Sequence, residues 1–331
     1  MAGILKVGVL GSGVMGAGIA AHVANAGVPV VLLDVVQEGA AGRSALAIAA
    51  VDRLKKTRRA PLMSAARARL ITPGNLEDDL ALLADCDWIV EAVVERADIK
   101  QQVYRSVDAV RKAGAVVSSN TSTIPLARLI DGFPESFARD FLITHFFNPP
   151  RYMRLLELVA GSSTRPDAVA AVRAFGDLEL GKSVVDCKDT PGFIANRIGT
   201  FWIEAALREA FAGGLLVEEV DALAGRAFGF PKTGVFGLLD LVGIDLGPHV
   251  ARSLLASLPP DDAYCTEHRE SALIDKMIAA GLTGRKGKGG FYRLDNAGGK
   301  RVKQAIDLAT GEYRPVLEPR LASVAVAKAG G

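Results

Sequence analysis

His145 opens the run His145-Phe146-Phe147-Asn148-Pro149-Pro150, and Glu157 follows twelve residues later inside the apolar stretch Leu155 to Val159. Imidazole is the one side chain whose ordinary pKa lies near neutrality, so a carboxylate on one ring nitrogen leaves the other able to accept a proton. The two residues read as a general base and its orienting acid, chemistry suited to drawing a proton from a hydroxyl. A core histidine satisfied by a strand-end glutamate uses the same two residue types, so the pair by itself leaves both readings open. Ser122, in Ser118-Ser119-Asn120-Thr121-Ser122-Thr123, is a further polar candidate, and it would also serve as a helix N-cap ahead of Pro125.

The elements that must position these groups begin at the N-terminus. Lys6 to Leu10 reads as a buried parallel strand, and Gly11-Ser12-Gly13-Val14-Met15-Gly16 matches G-x-G-x-x-G where a helix starts. That helix runs on through Ile19 to Ala26, Val28 to Leu33 is a second strand, and Asp34 closes it 23 residues after Gly11. Strand, glycine turn, helix, strand and acid together form a dinucleotide-binding unit. Gly11 permits the turn, Gly13 lets the backbone approach a pyrophosphate beside Val14 and Met15, and Gly16 allows close packing. Asp34 would accept from the adenine-ribose hydroxyls and repel a 2′-phosphate, which favours NAD over NADP.

Alternating strands and helices follow, predicting an α/β fold with a Rossmann-type, doubly wound, mostly parallel sheet. Gln37 to Lys56 reads as a helix, Trp88 to Ala92 as a strand, Ile99 to Lys112 as a helix, and Val116 to Ser119 and Phe141 to His145 as strands. A helix from Pro166 to Leu180 and a strand from Ser183 to Asp186 complete this part. Ligands bind outside the carboxyl ends of such strands, and Glu95 with Lys100, Asn120 with Ser122, and His145 all fall there. Lys55, Lys56, Arg58 and Arg59 form a basic helix end, either a solvated face complementing the helix dipole or a clamp for phosphates of a large anionic substrate. After Asp189-Thr190-Pro191-Gly192-Phe193 the chain reads as all-α. A long helix from Ile194 to Phe211 carries Asn196 in its first turn, and Val217 to Phe228, Gly237 to Leu255 and Ser271 to Ala280 follow. Gly281 to Gly290, with Arg285, Lys286 and Lys288, reads as a basic structural turn. The division expected is 1–188, 189–295 and a tail or linker to a further region at 296–331.

Composition narrows the classes. Among 331 residues, 39 Lys and Arg stand against 37 Asp and Glu, a balance that argues against a nucleic-acid partner. Cys86, Cys187 and Cys265 lie far apart without metal-ligand spacing, which predicts free thiols, no metal and a reducing, cytoplasmic setting. Val7 to Leu33 lacks Asp, Glu, Lys and Arg, yet its glycines and Pro29 break it into two short blocks, so no membrane insertion is expected.

The chain resembles the L-3-hydroxyacyl-CoA dehydrogenases of fatty-acid β-oxidation. Gly11 to Gly16 with Asp34, Val90-Glu91-Ala92-Val93-Val94-Glu95, Ser119-Asn120-Thr121-Ser122, His145-Phe146-Phe147-Asn148-Pro149, Pro191-Gly192-Phe193-Ile194-Ala195-Asn196-Arg197 and Gly284 to Tyr292 stand in that family's order. The likeness extends to long bacterial polypeptides that fuse this dehydrogenase to an enoyl-CoA hydratase-like region, which would make this chain their dehydrogenase part. The resemblance implies NAD as cofactor, an acyl-CoA as substrate, His145 as base and Glu157 as its partner. It also implies that Ser122 and Asn196 bind substrate oxygens, that Glu95 and Lys100 lie near the nicotinamide, and that Lys55, Lys56 and Arg59 lie where the CoA nucleotide binds. A homodimer through the helical domain, or an associated hydratase region, is the partner it implies. A β-hydroxyacid dehydrogenase acting on a free acid would share the glycine motif but is expected to carry a lysine base where this chain has Asn196 and Arg197. A non-catalytic NAD-binding protein would have no need of the full set of polar residues.

Overall fold

The computed structural model describes residues 3–57, 59–295 and 301–330. The chain divides into two compact units, Met1–Ile194 and Ala195–Gly331. The break falls a few residues beyond the Asp189 boundary read from the sequence.

The first unit holds one sheet. Its strands are β1 (Val7–Leu10), β2 (Val30–Asp34), β3 (Ile71–Asn75), β4 (Trp88–Glu91), β5 (Val116–Ser119), β6 (Phe141–Phe146), β7 (Leu155–Ala160) and β8 (Ser183–Cys187), in the spatial order β3-β2-β1-β4-β5-β6-β7-β8. All neighbours are parallel except β6 and β7, which run antiparallel with His145 directly opposite Glu157. Helices α1 (Val14–Asn25), α2 (Ala45–Lys56), α3 (Ala97–Asp108), α4 (Leu126–Leu129), α5 (Glu135–Ala138) and α6 (Pro166–Ala174) cover the two faces. This is the Rossmann-type sheet expected. Two differences are local. α2 starts at Ala45 instead of Gln37, because Gly39 adopts φ +74° and Gly42 follows before the periodic run begins. Its neighbour β3 was not foreseen, since Ile71-Thr72-Pro73-Gly74-Asn75 ends in three residues depleted in strands. As an edge strand it tolerates Pro73, whose missing N–H faces away from a partner.

Each inner strand is buried on both faces, and the side chains sort by the two-residue period. Val7, Val9, Leu32, Trp88, Val90, Leu142 and Leu156 pack under α1, α2 and α6. Leu10, Leu33, Ile89, Val117, Phe141 and Ile143 pack on the opposite face with Tyr104 and Val107 of α3. His145 continues the Phe141, Ile143 register, so the imidazole leaves the sheet on the α3 face. No helix among the described residues is long and apolar enough to cross a membrane.

The second unit contains α7 (Ala195–Gly213), α8 (Val217–Leu223), α9 (Phe236–Val242), α10 (Leu246–Ser257), α11 (Ala263–Glu267) and α12 (Ala272–Ala279). The single helix read over Gly237 to Leu255 is two, because Gly243 at φ +114° ends α9. The all-α reading also missed a three-stranded antiparallel sheet, β9 (Tyr292–Asp295), β10 (Val302–Ile306) and β11 (Tyr313–Pro315), followed by α13 (Ala322–Ala329). Most of it falls within 296–331, which read as a tail; residues 296–300 of that stretch lie outside the described residues. The glycine-rich basic loop closes on itself through the Gly284–Gly289 bridge. Its exit is held by the buried Asp240, whose two carboxylate oxygens accept from the Phe291 and Tyr292 amides at 2.8 Å each. Asp240→Ala would leave both amides unsatisfied, and at about 1–3 kcal/mol for each orphaned buried group the variant is expected to lose several kcal/mol in urea unfolding. A loss within ordinary surface-substitution scatter would contradict this role for Asp240.

Candidate active site

The glycine turn between β1 and α1 has the shape a diphosphate requires. Gly11 sits at φ +93°, and a Cβ there would meet the Ala92 carbonyl oxygen at 2.6 Å. At Gly16 a Cβ would stand 1.8 Å from the Gly11 carbonyl oxygen, so only glycine lets α1 start this close to β1. A Cβ on Gly13 would meet nothing within 4 Å. Gly13 caps α1 without a side-chain bond, and the first-turn amides of Val14, Met15 and Gly16 have no intrahelical acceptor. The open side of this turn is therefore a nest of donors at a positive helix end, and it fits the pyrophosphate of a dinucleotide. Asp34, at the end of β2, holds the turn in place: Oδ2 accepts from the Ser12 amide at 2.6 Å and the Ser12 hydroxyl at 2.5 Å, and Oδ1 from Val35 N at 2.7 Å.

Glu91 organises the neighbouring strand ends. It is the only charged residue in the apolar run Trp88 to Val94 and is fully buried. One oxygen accepts from Lys100 Nζ and Val93 N, each at 2.7 Å; the other accepts from the Tyr104 hydroxyl at 2.6 Å and the Ser119 hydroxyl at 2.7 Å. Lys100, itself 1% exposed, also reaches Glu95 at 3.2 Å. Burial alone would raise the Glu95 carboxyl, but the Lys100 ammonium and hydrogen bonds from Thr121 and Ser122 bring it below the usual carboxylate range. Glu95 Oε1 accepts from the Thr121 hydroxyl at 2.5 Å, Ser122 N at 3.0 Å and Thr123 N at 3.3 Å, so it fixes the loop that carries Ser122. Lys100 was read from the sequence as a cofactor ligand; in the structure its ammonium lies between two carboxylates and bears on the loop through Glu95. Glu91 went unassigned, although a lone carboxylate in a strand of Trp, Ile and Val was its visible signal.

His145 and Glu157, read from the sequence as a base and its acid, meet across β6 and β7. His145 Nδ1 lies 2.7 Å from Glu157 Oε2, with the imidazole 8% and the carboxylate 0% exposed. The other Glu157 oxygen accepts from Ile194 N at 3.0 Å. Phe147 and Phe193 flank the imidazole with ring centroids at 4.5 and 5.7 Å. Phe193 is held at φ +50°, the only non-glycine in the left-handed region among the described residues. Nearby, burial first and Glu157 second push the Cys187 thiol up to about 11, which keeps it neutral. Asn120 ties the site to the neighbouring strand, its Oδ1 accepting from Phe146 N at 2.9 Å.

The structure thus assembles the glycine turn, Asp34, Asn120, Ser122, Glu95, His145 and Glu157 along the carboxyl ends of β1, β2, β4, β5 and β6, with Glu157 supplied by β7. Lys55 and Lys56 lie exposed in the last turn of α2, where Lys55 pairs with Asp52 at 3.0 Å, and Arg59 is exposed beyond it. Arg58 lies outside the described residues. Asn196 belongs to the second unit, in the first turn of α7, and lines a cavity of about 210 Å³ with Gly199, Thr200, Leu239, Val242 and Tyr264.

Two family models match successive stretches of this chain: 3-hydroxyacyl-CoA dehydrogenase, NAD binding domain, over residues 6–190, and 3-hydroxyacyl-CoA dehydrogenase, C-terminal domain, over 192–294. The chain belongs to the 3-hydroxyacyl-CoA dehydrogenase family. The "Putative fatty acid oxidation complex trifunctional enzyme" of Rickettsia felis is 44% identical over 313 residues, covering 95% of this chain and 44% of the relative. A "Probable 3-hydroxyacyl-CoA dehydrogenase" of Deinococcus radiodurans is 44% identical over 290 residues, covering 88% and 83%. The crystal structure of FadB2 from M. tuberculosis superposes with a TM-score of 0.74 at 32% identity over 88% of this chain and 99% of that one. The chain spans less than half the length of several of the curated relatives it matches. NAD as the cofactor of the first unit agrees with the dehydrogenase family model, as the glycine turn and Asp34 had suggested. If the turn holds the NAD of this dehydrogenase family, two substitutions separate fold from binding. Gly16→Ala is expected to lower Tm and NADH affinity together, whereas Gly13→Ala, whose methyl projects into open space, keeps Tm and weakens NADH binding by about tenfold, roughly 1.4 kcal/mol. Calorimetry and NADH fluorescence titration check the pair; equal NADH affinity in Gly13→Ala and the parent would overturn the fit.

Proposed function

We propose that this chain catalyses NAD-dependent oxidation of (S)-3-hydroxyacyl-CoA to 3-oxoacyl-CoA, with His145 as general base. The observation that carries the reading is the buried His145–Glu157 contact at 2.7 Å, at the strand ends of a domain matched by the family's NAD binding model. With Nδ1 engaged by Glu157, the tautomer is fixed and Nε2 is the nitrogen that takes the proton of the 3-hydroxyl. Glu157 stabilises the imidazolium as it forms, and its second oxygen stays held by Ile194 N. Phe147 and Phe193 keep water from the ring, which strengthens the carboxylate's effect. Ser122 and Asn196 hold the substrate's oxygens. In the reverse direction His145 returns the proton to the nascent alkoxide. NAD, when bound, supplies the hydride acceptor.

In this reading Gly11, Gly13, Val14, Met15 and Gly16 hold the pyrophosphate, Asp34 the adenine ribose, and Asn120 and Glu95 border the nicotinamide end, with Lys100 behind Glu95. Lys55, Lys56 and Arg59 meet the CoA phosphates. The full-length relatives named as trifunctional enzymes support an associated hydratase region as partner. A homodimer through the helical residues 189–295 is the alternative assembly, and a cytoplasmic setting goes with either.

Acetoacetyl-CoA with NADH, followed at the NADH absorbance band, tests the reaction. His145→Gln is expected to lower kcat by at least the roughly 10²-fold typical of a lost general base, and near-normal turnover would remove His145 from the role. Asp34→Ala is expected to weaken NAD binding more than NADP binding in parallel titrations. An unchanged ratio would refute the ribose assignment.

A further inference from the structure

Lys182 lies outside every motif considered so far. It follows the π-helical turn Phe175–Glu179 and immediately precedes β8, and it is 3% exposed. Among the described residues no carboxylate lies within ion-pair distance. Its Nζ donates to the carbonyl oxygen of Pro150 and, at 2.7 Å, to that of Met153. The ammonium also stands over the Phe146 ring, 5.6 Å from its centroid. Burial pulls its pKa down to about 8. An interior lysine without a carboxylate is costly unless carbonyls and aromatic faces replace its water, and here all of those groups belong to one segment, the β6–β7 connection from Phe147 to Arg154 and the strand residue before it.

That segment is pressed on α1, the helix that begins at the glycine turn. A Cβ on Gly18 would come within 2.9 Å of Pro150 Cδ. His22, one turn further along α1, donates from Nε2 to the carbonyl of Leu180 at 3.0 Å, two residues before Lys182. Burial and the neighbouring ammonium hold His22 down to about 4, so at neutral pH it is the uncharged partner that a cation beside it requires. Arg151, in the same segment, donates to the carbonyls of Ala60 and, at 3.0 Å, Leu62. His22 thus stands beside the ammonium uncharged, and Arg151, the other charged group that bears on His22, is a second cation and no counter-charge.

We propose that Lys182 is a positioning residue of the dehydrogenase reaction: its ammonium pins the Phe147–Arg154 segment against the cofactor helix and thereby fixes Phe147 on the imidazole of His145. The inference rests on the reading of His145 as the base. Phe147 is the first residue of the pinned segment and its ring centroid is 4.5 Å from that of His145; slack at Pro150 is transmitted over three residues to the ring that shields the imidazole. Misplacement of about 1 Å at a reacting centre costs up to roughly 10²-fold in rate.

Two readouts test it on the full chain. Lys182→Ala is expected to lower kcat by about tenfold or more while KM for NADH stays within a factor of about two, and small alkylammonium ions such as ethylammonium are expected to restore turnover by refilling the ammonium site. In the absence of cofactor and substrate, trypsin is expected to cut after Arg151 or Arg154 several-fold faster in the variant. If Lys182→Ala does not fold, Lys182→Met, which keeps the stem, carries the kcat, KM and trypsin comparison without the rescue. A variant with parental kcat and parental cleavage rate overturns the proposal. So does a kcat loss that no ammonium ion rescues and that is matched by an equal rise in KM. Should the parent protein itself fail to turn over acetoacetyl-CoA, the function assigned above falls, and the cleavage rates alone then decide whether Lys182 pins the segment.

Discussion

An imidazole can act as a base in one direction only when its other nitrogen is held, and here the hold comes from a reversal in an otherwise parallel sheet. β6 leads outward with His145 near its end, the chain turns back, and β7 returns antiparallel so that Glu157 lies directly opposite. A parallel neighbour would need a crossover of a dozen or more residues and would bring a different part of the chain there. The two-residue period then places both side chains on the α3 face, where Phe147, Phe193 and the Ile194 amide complete their surroundings. In the proposed reaction, the glycine turn, the loop braced by Glu95 and the Lys182 contacts would place a substrate and a dinucleotide about that one nitrogen.

Two buried charges accomplish this bracing in different ways. Glu91 collects four donors from the connection after β4, from α3 and from β5, so the strand ends that carry Asn120 and Glu95 are tied to one carboxylate. Removing a single partner from such a network leaves an uncompensated charge, which makes it stiff as well as strong. Lys182 has no opposite charge and relies on two carbonyls and a ring. The first arrangement locks secondary structure to secondary structure. The second locks a loop.

Much of the fold and site was legible because the signals are local. Gly11, Gly13, Gly16 and Asp34 state a backbone requirement at fixed spacing, and His145 and Glu157 stand out against Phe, Leu and Val. What escaped was either non-local or locally contradictory. β3 carries Pro73 and Gly74 and exists because β2 offers it an edge. The β9 to β11 sheet is short and polar, and its residues are set by Asp240 and by Arg314, which pairs with Glu218 on α8. Lys100 was visible as a residue near a strand end, but its burial between Glu91 and Glu95 depends on α3 laying its inner face on the sheet. Lys182 could not be found from spacing at all, since its acceptors are backbone carbonyls some thirty positions away.

The turn from β6 to β7 spans only Phe147 to Arg154, and this has a bearing on how the chain reaches its native state. Loop-closure entropy rises with the logarithm of loop length, so the contact between His145 and Glu157 is among the least entropically demanding in the first unit. The glycine turn and Asp34, by contrast, come together only after a strand, a helix and a second strand have registered in parallel. The contact between His145 and Glu157 is therefore encoded by one short stretch of chain, whereas the dinucleotide turn depends on a parallel pairing made through a helical crossover.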